Sequence, residues 1–163
     1  MLLPEQDRSK WDRLLITHGL AALDRAGALH QPLGPYALQA AIAACHARAT
    51  APEDTDWKRV VALYDALAEL SGSPVVELNR AVAVSMAYGP VQGLELVDAL
   101  VEEAALTGYH LLPAVRGDLL ARLGRGAEAR AEFEKAATLT TNTRERDLLR
   151  LRAHASFTSQ AST

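Results

Sequence analysis

The feature that most constrains the fold is a set of four residues near the end of the chain: Gly117, Ala129, Phe133 and Ala136. Small residues at these spacings allow two antiparallel helices to cross closely, and Phe133 would fill the space beside them. Counted back from Phe133, equivalent bulky positions fall at Val97 and Tyr64, at separations of 36 and 33 residues. A period of about 34 residues, built from helix, turn and helix, is typical of helical repeat proteins.

The composition also favours helices. Of the 163 residues, 49% are hydrophobic but only 5% are aromatic, and alanine and leucine supply much of the apolar content. Alanine loses no side-chain entropy in a helix, and no alternation of period two lasts long enough to predict a sheet. We therefore expect one all-α domain over residues 1–155 and a flexible tail over residues 156–163.

Glycine and proline divide the chain into about eight antiparallel helices. Their expected spans are 9–28, 35–49, 57–70, 74–87, 91–105, 109–123, 127–139 and 143–153. Pairing the second helix with the third, the fourth with the fifth and the sixth with the seventh gives three repeats of the tetratricopeptide type, in a right-handed superhelix. The first is an N-terminal helix. The eighth is a capping helix, for which Leu148, Leu149 and Leu151 would supply the covering contacts.

Several classes of function find no support in the sequence. No stretch approaches the ~20 apolar residues that span a membrane, and the first residues lack the pattern of a signal peptide, so we expect a cytoplasmic location. Cys45 is the only cysteine and is interpreted as a small core residue. The five histidines show no metal-ligand spacing, and no phosphate loop or nucleophile motif is present. We expect neither enzymatic activity nor a bound cofactor or metal.

The charge distribution argues against a nucleic-acid surface. The net charge is −3, yet residues 116–163 carry 9 Lys/Arg and 6 Asp/Glu. A nucleic-acid site would be more strongly basic and interleaved with aromatic residues. Because acidic residues are mixed into this segment, we interpret it as a solvated helix face that does not bind nucleic acid.

A candidate binding groove is indicated by the 35–49 helix. Tyr36, Gln39 and His46 lie on one side of it, at helical spacing. The first helix of each repeat lines the concave groove in such proteins, so these side chains would offer hydrogen bonds to a bound segment. Extending the register adds Asn79 in the second repeat. The alternative is that these residues contact only one another or the N-terminal helix.

Runs of residues along most of the chain carry a more specific likeness. They include Leu2-Leu3-Pro4-Glu5-Gln6-Asp7, Gly34-Pro35-Tyr36, Asp54-Thr55-Asp56-Trp57, Asn79-Arg80-Ala81-Val82-Ala83, Gly108-Tyr109-His110-Leu111-Leu112 and Leu123-Gly124-Arg125. In this order they resemble the C-terminal tetratricopeptide-like extension of a group of extracytoplasmic-function sigma factors. The likeness spans roughly residues 2–152.

The resemblance implies a regulatory domain whose partners are RNA polymerase or its own sigma domains. From the quoted motifs and the 108–116 run it adds Arg80, His110 and Arg116 to the candidate groove. The promoter-binding domains of the family have no room before Leu2, so promoter recognition is not expected of this chain.

Three alternatives remain open. In the first, the groove binds a peptide or small molecule as a sensor. In the second, the chain is a scaffold unconnected with transcription. A rival from another class is a metal- or thiol-dependent enzyme built on Cys45, His46 and His110.

Overall fold

The computed structural model describes residues 33–158, together with Ala21, and all regular structure in this part of the chain is helical. There are seven α-helices in the described range: α1 (Pro35–Arg48), α2 (Trp57–Ser71), α3 (Pro74–Tyr88), α4 (Pro90–Asp98), α5 (Leu111–Arg122), α6 (Gly126–Leu139) and α7 (Thr143–Thr158). Short 3-10 turns lie at Pro52–Asp54 and Ala104–Leu106. The prediction of an all-α fold of paired helices is confirmed. The expected helix at 9–28 lies outside the described residues, except for the helical Ala21.

The chain forms two compact units, which meet in sequence between Val76 and Glu77. In the first unit, α1 packs on α2. In the second unit, α4 packs on α5, α5 on α6 and α6 on α7. Within each unit these helices pack against their neighbours in sequence, as in helical repeat proteins. The sense of the superhelix stays a prediction.

Helix α2 begins and ends where the sequence indicates. The Asp56 side chain accepts a hydrogen bond of 3.1 Å from the backbone N–H of Arg59, which satisfies one of the free amides of the first turn. At the other end Gly72 adopts φ 58° and its N–H donates to the carbonyl of Ala68. This left-handed conformation favours glycine and ends the helix.

The predicted span of α4 to Ala105 is wrong, since the helix is shorter. The helix ends at Asp98, after which the N–H of Leu100 donates to the carbonyl of Val97, a tighter turn. The following residues from Val101 to Ala105 are exposed and offer no apolar face. The acidic Asp98 and Glu102 also oppose the partial negative charge at a helix C-terminus.

Helix α7 is longer than predicted and continues to Thr158 instead of stopping near Ala153. The expected tail at 156–163 therefore begins inside a helix, where the Ser156 hydroxyl donates to the carbonyl of Arg152. Of the three leucines expected to cover the preceding repeat, only Leu149 is buried. Leu148 and Leu151 are exposed, since they lie outside the buried face around Leu149.

The close helix crossing predicted from the repeat pattern is present in the second unit. Ala129, Phe133 and Ala136 are fully buried, and a Cβ built on Gly117 would lie 2.9 Å from the Phe133 ring. The guanidinium of Arg152 lies 4.8 Å from the centre of this ring on α6. Phe133 is thus enclosed by α5 and α7, as expected for a residue that fills the space between repeats.

Candidate interaction surface

Tyr36 is the most exposed large hydrophobic residue in the described part of the chain, with 88% of its surface accessible. It occupies the first turn of α1, which starts at Pro35, where a missing N–H is tolerated. Gln39, one turn further on, is also exposed. Leu38 and Ile42 are buried and anchor the helix by its other side. Tyr36 and Gln39 therefore form an accessible pair on a fixed helix.

His46 does not belong to this accessible pair. It is only 1% exposed, and its ring meets that of Trp57 edge-on, with centroids 5.2 Å apart and an angle of 71°. The prediction that His46 lines an open groove is therefore wrong. Its helical position is close to that of Gln39, but the chain returns through a loop and places Trp57 over it.

Arg116 is held by two carboxylates of the second unit. Its Nε donates to Asp98 at 2.7 Å and one terminal nitrogen donates to Glu132 at 2.6 Å. Burial by itself lowers the pKa of this guanidinium, but the two hydrogen bonds outweigh it and the net direction is upward. Arg116 thus connects the end of α4 to α6 across α5. Its position is that of a structural cation, which differs from the predicted groove contact.

The other predicted residues of the second unit are half-buried. Arg80 pairs with Glu77 one turn earlier at 3.3 Å, and Asn79 lies beside it on α3. The Nε2 atom of His110 lies 3.2 Å from a carboxylate oxygen of Glu145. The hydrogen bond from Thr140 is the main cause that lowers the pKa of Glu145, and the nearby His110 adds to it. His110 and Arg80 therefore both face acidic side chains of their own unit.

Sequence reasoning did not single out Tyr88 and Val91, which belong to a second exposed apolar group. Met86, Tyr88 and Val91 are exposed in the second unit, and Tyr88 is 54% accessible. They flank Gly89, whose φ of 114° allows the sharp turn from α3 to α4. The sequence did contain a signal for this group: apolar residues stand beside a Gly-Pro turn, where polar residues are usual.

The described residues give no sign of a metal centre. In the range 33–158, no three His, Cys, Asp or Glu side chains are grouped so that they could hold a metal ion.

A separate question is membrane insertion. Among the helices of that same range, none combines the length and the apolar character needed to cross a bilayer.

Comparison with known proteins finds a relative that matches most of the chain. The chain is 50% identical over 151 residues to an uncharacterized protein of Rhizobium meliloti, a match that covers 93% of this chain and 35% of that protein. The chain therefore spans about a third of the length of the curated relative it matches. No family model matches the chain, and no solved structure matches it.

Proposed function

We propose that the chain is the regulatory, protein-binding extension of an extracytoplasmic-function sigma factor, of the tetratricopeptide type. It acts in the bacterial cytoplasm by contact with sigma domains or RNA polymerase and thereby modulates transcription initiation. The proposal includes no catalysis, cofactor or direct contact with nucleic acid. Its basis is the ordered series of motifs between residues 2 and 152, carried by helices that pack in adjacent pairs.

The observation that carries the proposal is the exposure of Tyr36. This residue stands in the Gly34-Pro35-Tyr36 motif, two residues before Leu38, which is buried. The first turn of α1 thus contains one residue that packs the helix and one that has no packing role of its own. Tyrosine combines a large apolar ring with a hydroxyl that forms hydrogen bonds, and it is enriched among residues that dominate protein interfaces.

The length of the Rhizobium relative is compatible with this assignment. Because the match covers 35% of that protein, most of its chain lies outside the region compared here. That remainder is long enough for the two helical domains that bind polymerase and promoter in the sigma-factor family. The first test is therefore the coding sequence upstream of Met1: continuation of the reading frame into such domains supports the proposal, and a stop codon contradicts it.

The second test is transcription reconstituted with polymerase and the full-length protein. Tyr36→Ala should lower initiation about tenfold, the effect of losing roughly 1.4 kcal/mol of contact, without changing thermal stability. Tyr88→Ala is the matched control, since Tyr88 is also an exposed tyrosine, and it should leave initiation unchanged. Equal effects of the two substitutions, or none from Tyr36→Ala, would count against α1 as the contact surface.

A further inference from the structure

The first unit contains a cavity of about 360 Å³ where α1 ends and α2 begins. This volume falls in the range of small-molecule sites, about 300–1,000 Å³. The cavity is open to solvent, its charged residues are exposed, and it is lined mainly by Cys45, Arg48, Thr50, Asp54, Asp56 and Arg59. The function proposed above makes no use of it.

The charges around the cavity are balanced but are not paired with one another. Arg48 and Arg59 supply two guanidinium groups, and neither forms an ion pair within 4.0 Å in the described part of the chain. Asp54 accepts a hydrogen bond of 2.8 Å from the Thr50 hydroxyl. Asp56 accepts one from the backbone N–H of Arg59. Two cations and two anions thus face the same space, each with capacity for a further partner.

The wall of the cavity is fixed by hydrogen bonds. The indole N–H of Trp57 donates to the carbonyl of Pro52 at 3.2 Å. The backbone N–H of Trp57 donates to the carbonyl of Thr55 at 2.8 Å. The N–H of Asp54 donates to the carbonyl of Ala51. The acidic groups are therefore held in place before any ligand arrives, which lowers the entropy cost of binding.

We infer that this cavity binds a small zwitterion, namely a free amino acid or a short peptide with both termini free. The carboxylate of the ligand would be bound by Arg48 and Arg59, and its ammonium group by Asp54 and Asp56. A simple anion would meet two carboxylates at close range, and a simple cation would meet two guanidinium groups. Only a ligand with both charges matches all four side chains. The inference is independent of the role in transcription, because it concerns binding to the isolated chain.

Cys45 provides a direct measure of occupancy. Cys45 lines the cavity and is the only cysteine in the protein. Burial raises the pKa of this thiol, the charges of Arg59 and Arg48 lower it, and the charge of Asp56 raises it. Alkylation should therefore be slow, since the thiolate is the reactive form, and a ligand in the cavity should slow it further.

The experiment measures alkylation of Cys45 by iodoacetamide in the full chain, with free amino acids and di- and tripeptides as probes. At least one probe should slow alkylation and raise the melting temperature. N-acetylation or C-terminal amidation of that probe should abolish both effects. Arg59→Gln and Asp54→Asn should each weaken its binding about tenfold. Arg150→Gln, the matched control at an exposed arginine of the second unit, should not weaken it.

Three results would overturn the inference. The first is that no amino acid or peptide protects Cys45. The second is equal protection by acetate or inorganic phosphate, because the cavity would then recognise an anion alone. The third is unchanged binding in both Arg59→Gln and Asp54→Asn, with folding shown intact by circular dichroism. Each result leaves the transcription proposal untouched.

Discussion

Two tyrosines illustrate how strongly the surroundings set the properties of a single residue. Tyr36 and Tyr64 both lie on helices of the first unit, but Tyr36 is 88% exposed and Tyr64 only 6%. Burial raises the pKa of the Tyr64 phenol from its usual 10.0 to about 12. Tyr36 is suited to contact a partner, whereas Tyr64 contributes to the core and makes the unit sensitive to alkali.

The sensitivity to alkali gives a prediction for Tyr64→Phe. A folded pKa above the unfolded value means that the neutral phenol stabilises the fold fully below pH 10 and loses that contribution as the pH rises towards 12. The loss is at most about 3 kcal/mol. Tyr64→Phe should match the natural protein near neutral pH and unfold at higher urea concentration above pH 10. Parallel curves at every pH would contradict this, and Tyr36→Phe serves as control.

At the scale of helices, close crossings depend on two glycines. A Cβ on Gly93 would lie 2.5 Å from the Cβ of Ser85 and 3.1 Å from the carbonyl oxygen of Ala81 on α3. A Cβ on Gly117 would instead meet the ring of Phe133 on α6 at 2.9 Å. Atoms at or next to the main chain cannot move away without shifting a whole helix. The tip of a ring can adjust within its pocket.

We therefore expect Gly93→Ala to destabilise the protein more than Gly117→Ala. Overpacking costs about 1–3 kcal/mol, and the better helix propensity of alanine returns up to about 1 kcal/mol. Gly93→Ala should show the larger loss in urea unfolding. Phe133→Leu should compensate Gly117→Ala in part, so that the double substitution costs less than the sum of the single ones. Additive losses would show that Gly117 and Phe133 do not interact as the structure indicates.

The junction between α6 and α7 depends on Thr140. Its buried hydroxyl donates to Glu145 at 2.8 Å and accepts from the N–H of Asn142 at 3.2 Å. Its carbonyl accepts from the guanidinium of Arg146 at 3.0 Å. These contacts fix the start of the last helix.

Thr140→Val should lower the free energy of unfolding by about 1–3 kcal/mol near neutral pH, because buried hydrogen-bonding groups lose their partner. The hydrogen bond from Thr140 lowers the pKa of Glu145 below its usual 4.5. A lowered folded pKa stabilises the fold above pH 4.5, and the contribution is lost as the pH falls through the folded value. The difference between variant and natural protein should therefore shrink in acid. A difference that stays constant would contradict the role assigned to Glu145.

At the scale of the whole molecule, the second unit has a core of its own. Its fully buried side chains include Leu78, Val97, Leu119, Leu120 and Phe133. The division at residue 77 falls in the first turn of α3, which follows the turn at Gly72. We therefore expect residues 74–163 to fold without the rest of the chain.

This prediction can be checked by thermal unfolding of the 74–163 fragment, followed by circular dichroism. A single cooperative transition is expected. Phe133→Ala in the same fragment should abolish it or lower its midpoint strongly, since truncation of a buried Phe costs about 3–5 kcal/mol. A fragment that is helical but melts without cooperativity would show that the second unit depends on the first.

Local chemistry explains why much of the fold could be predicted. The end of α2 at Gly72, the cap by Asp56 and the start of α1 at Pro35 each follow from the local preference of a single residue. The Gly117 and Phe133 contact follows from spacing alone. The end of α4 could not be predicted in this way. The helix stops at Asp98, and the residues from Val101 to Ala105 are exposed, so no packing supports a longer helix.

The candidate site was less predictable, because it depends on which surfaces remain uncovered. Sequence spacing alone placed Tyr36, Gln39 and His46 on one side of a helix, but only Tyr36 and Gln39 are accessible there. Only the tertiary structure decided that Trp57 covers His46, that Asp98 and Glu132 hold Arg116, and that Arg48 and Arg59 face a cavity with Asp54 and Asp56. Helix formation is governed by neighbours in sequence, whereas exposure and charge pairing are governed by neighbours in space.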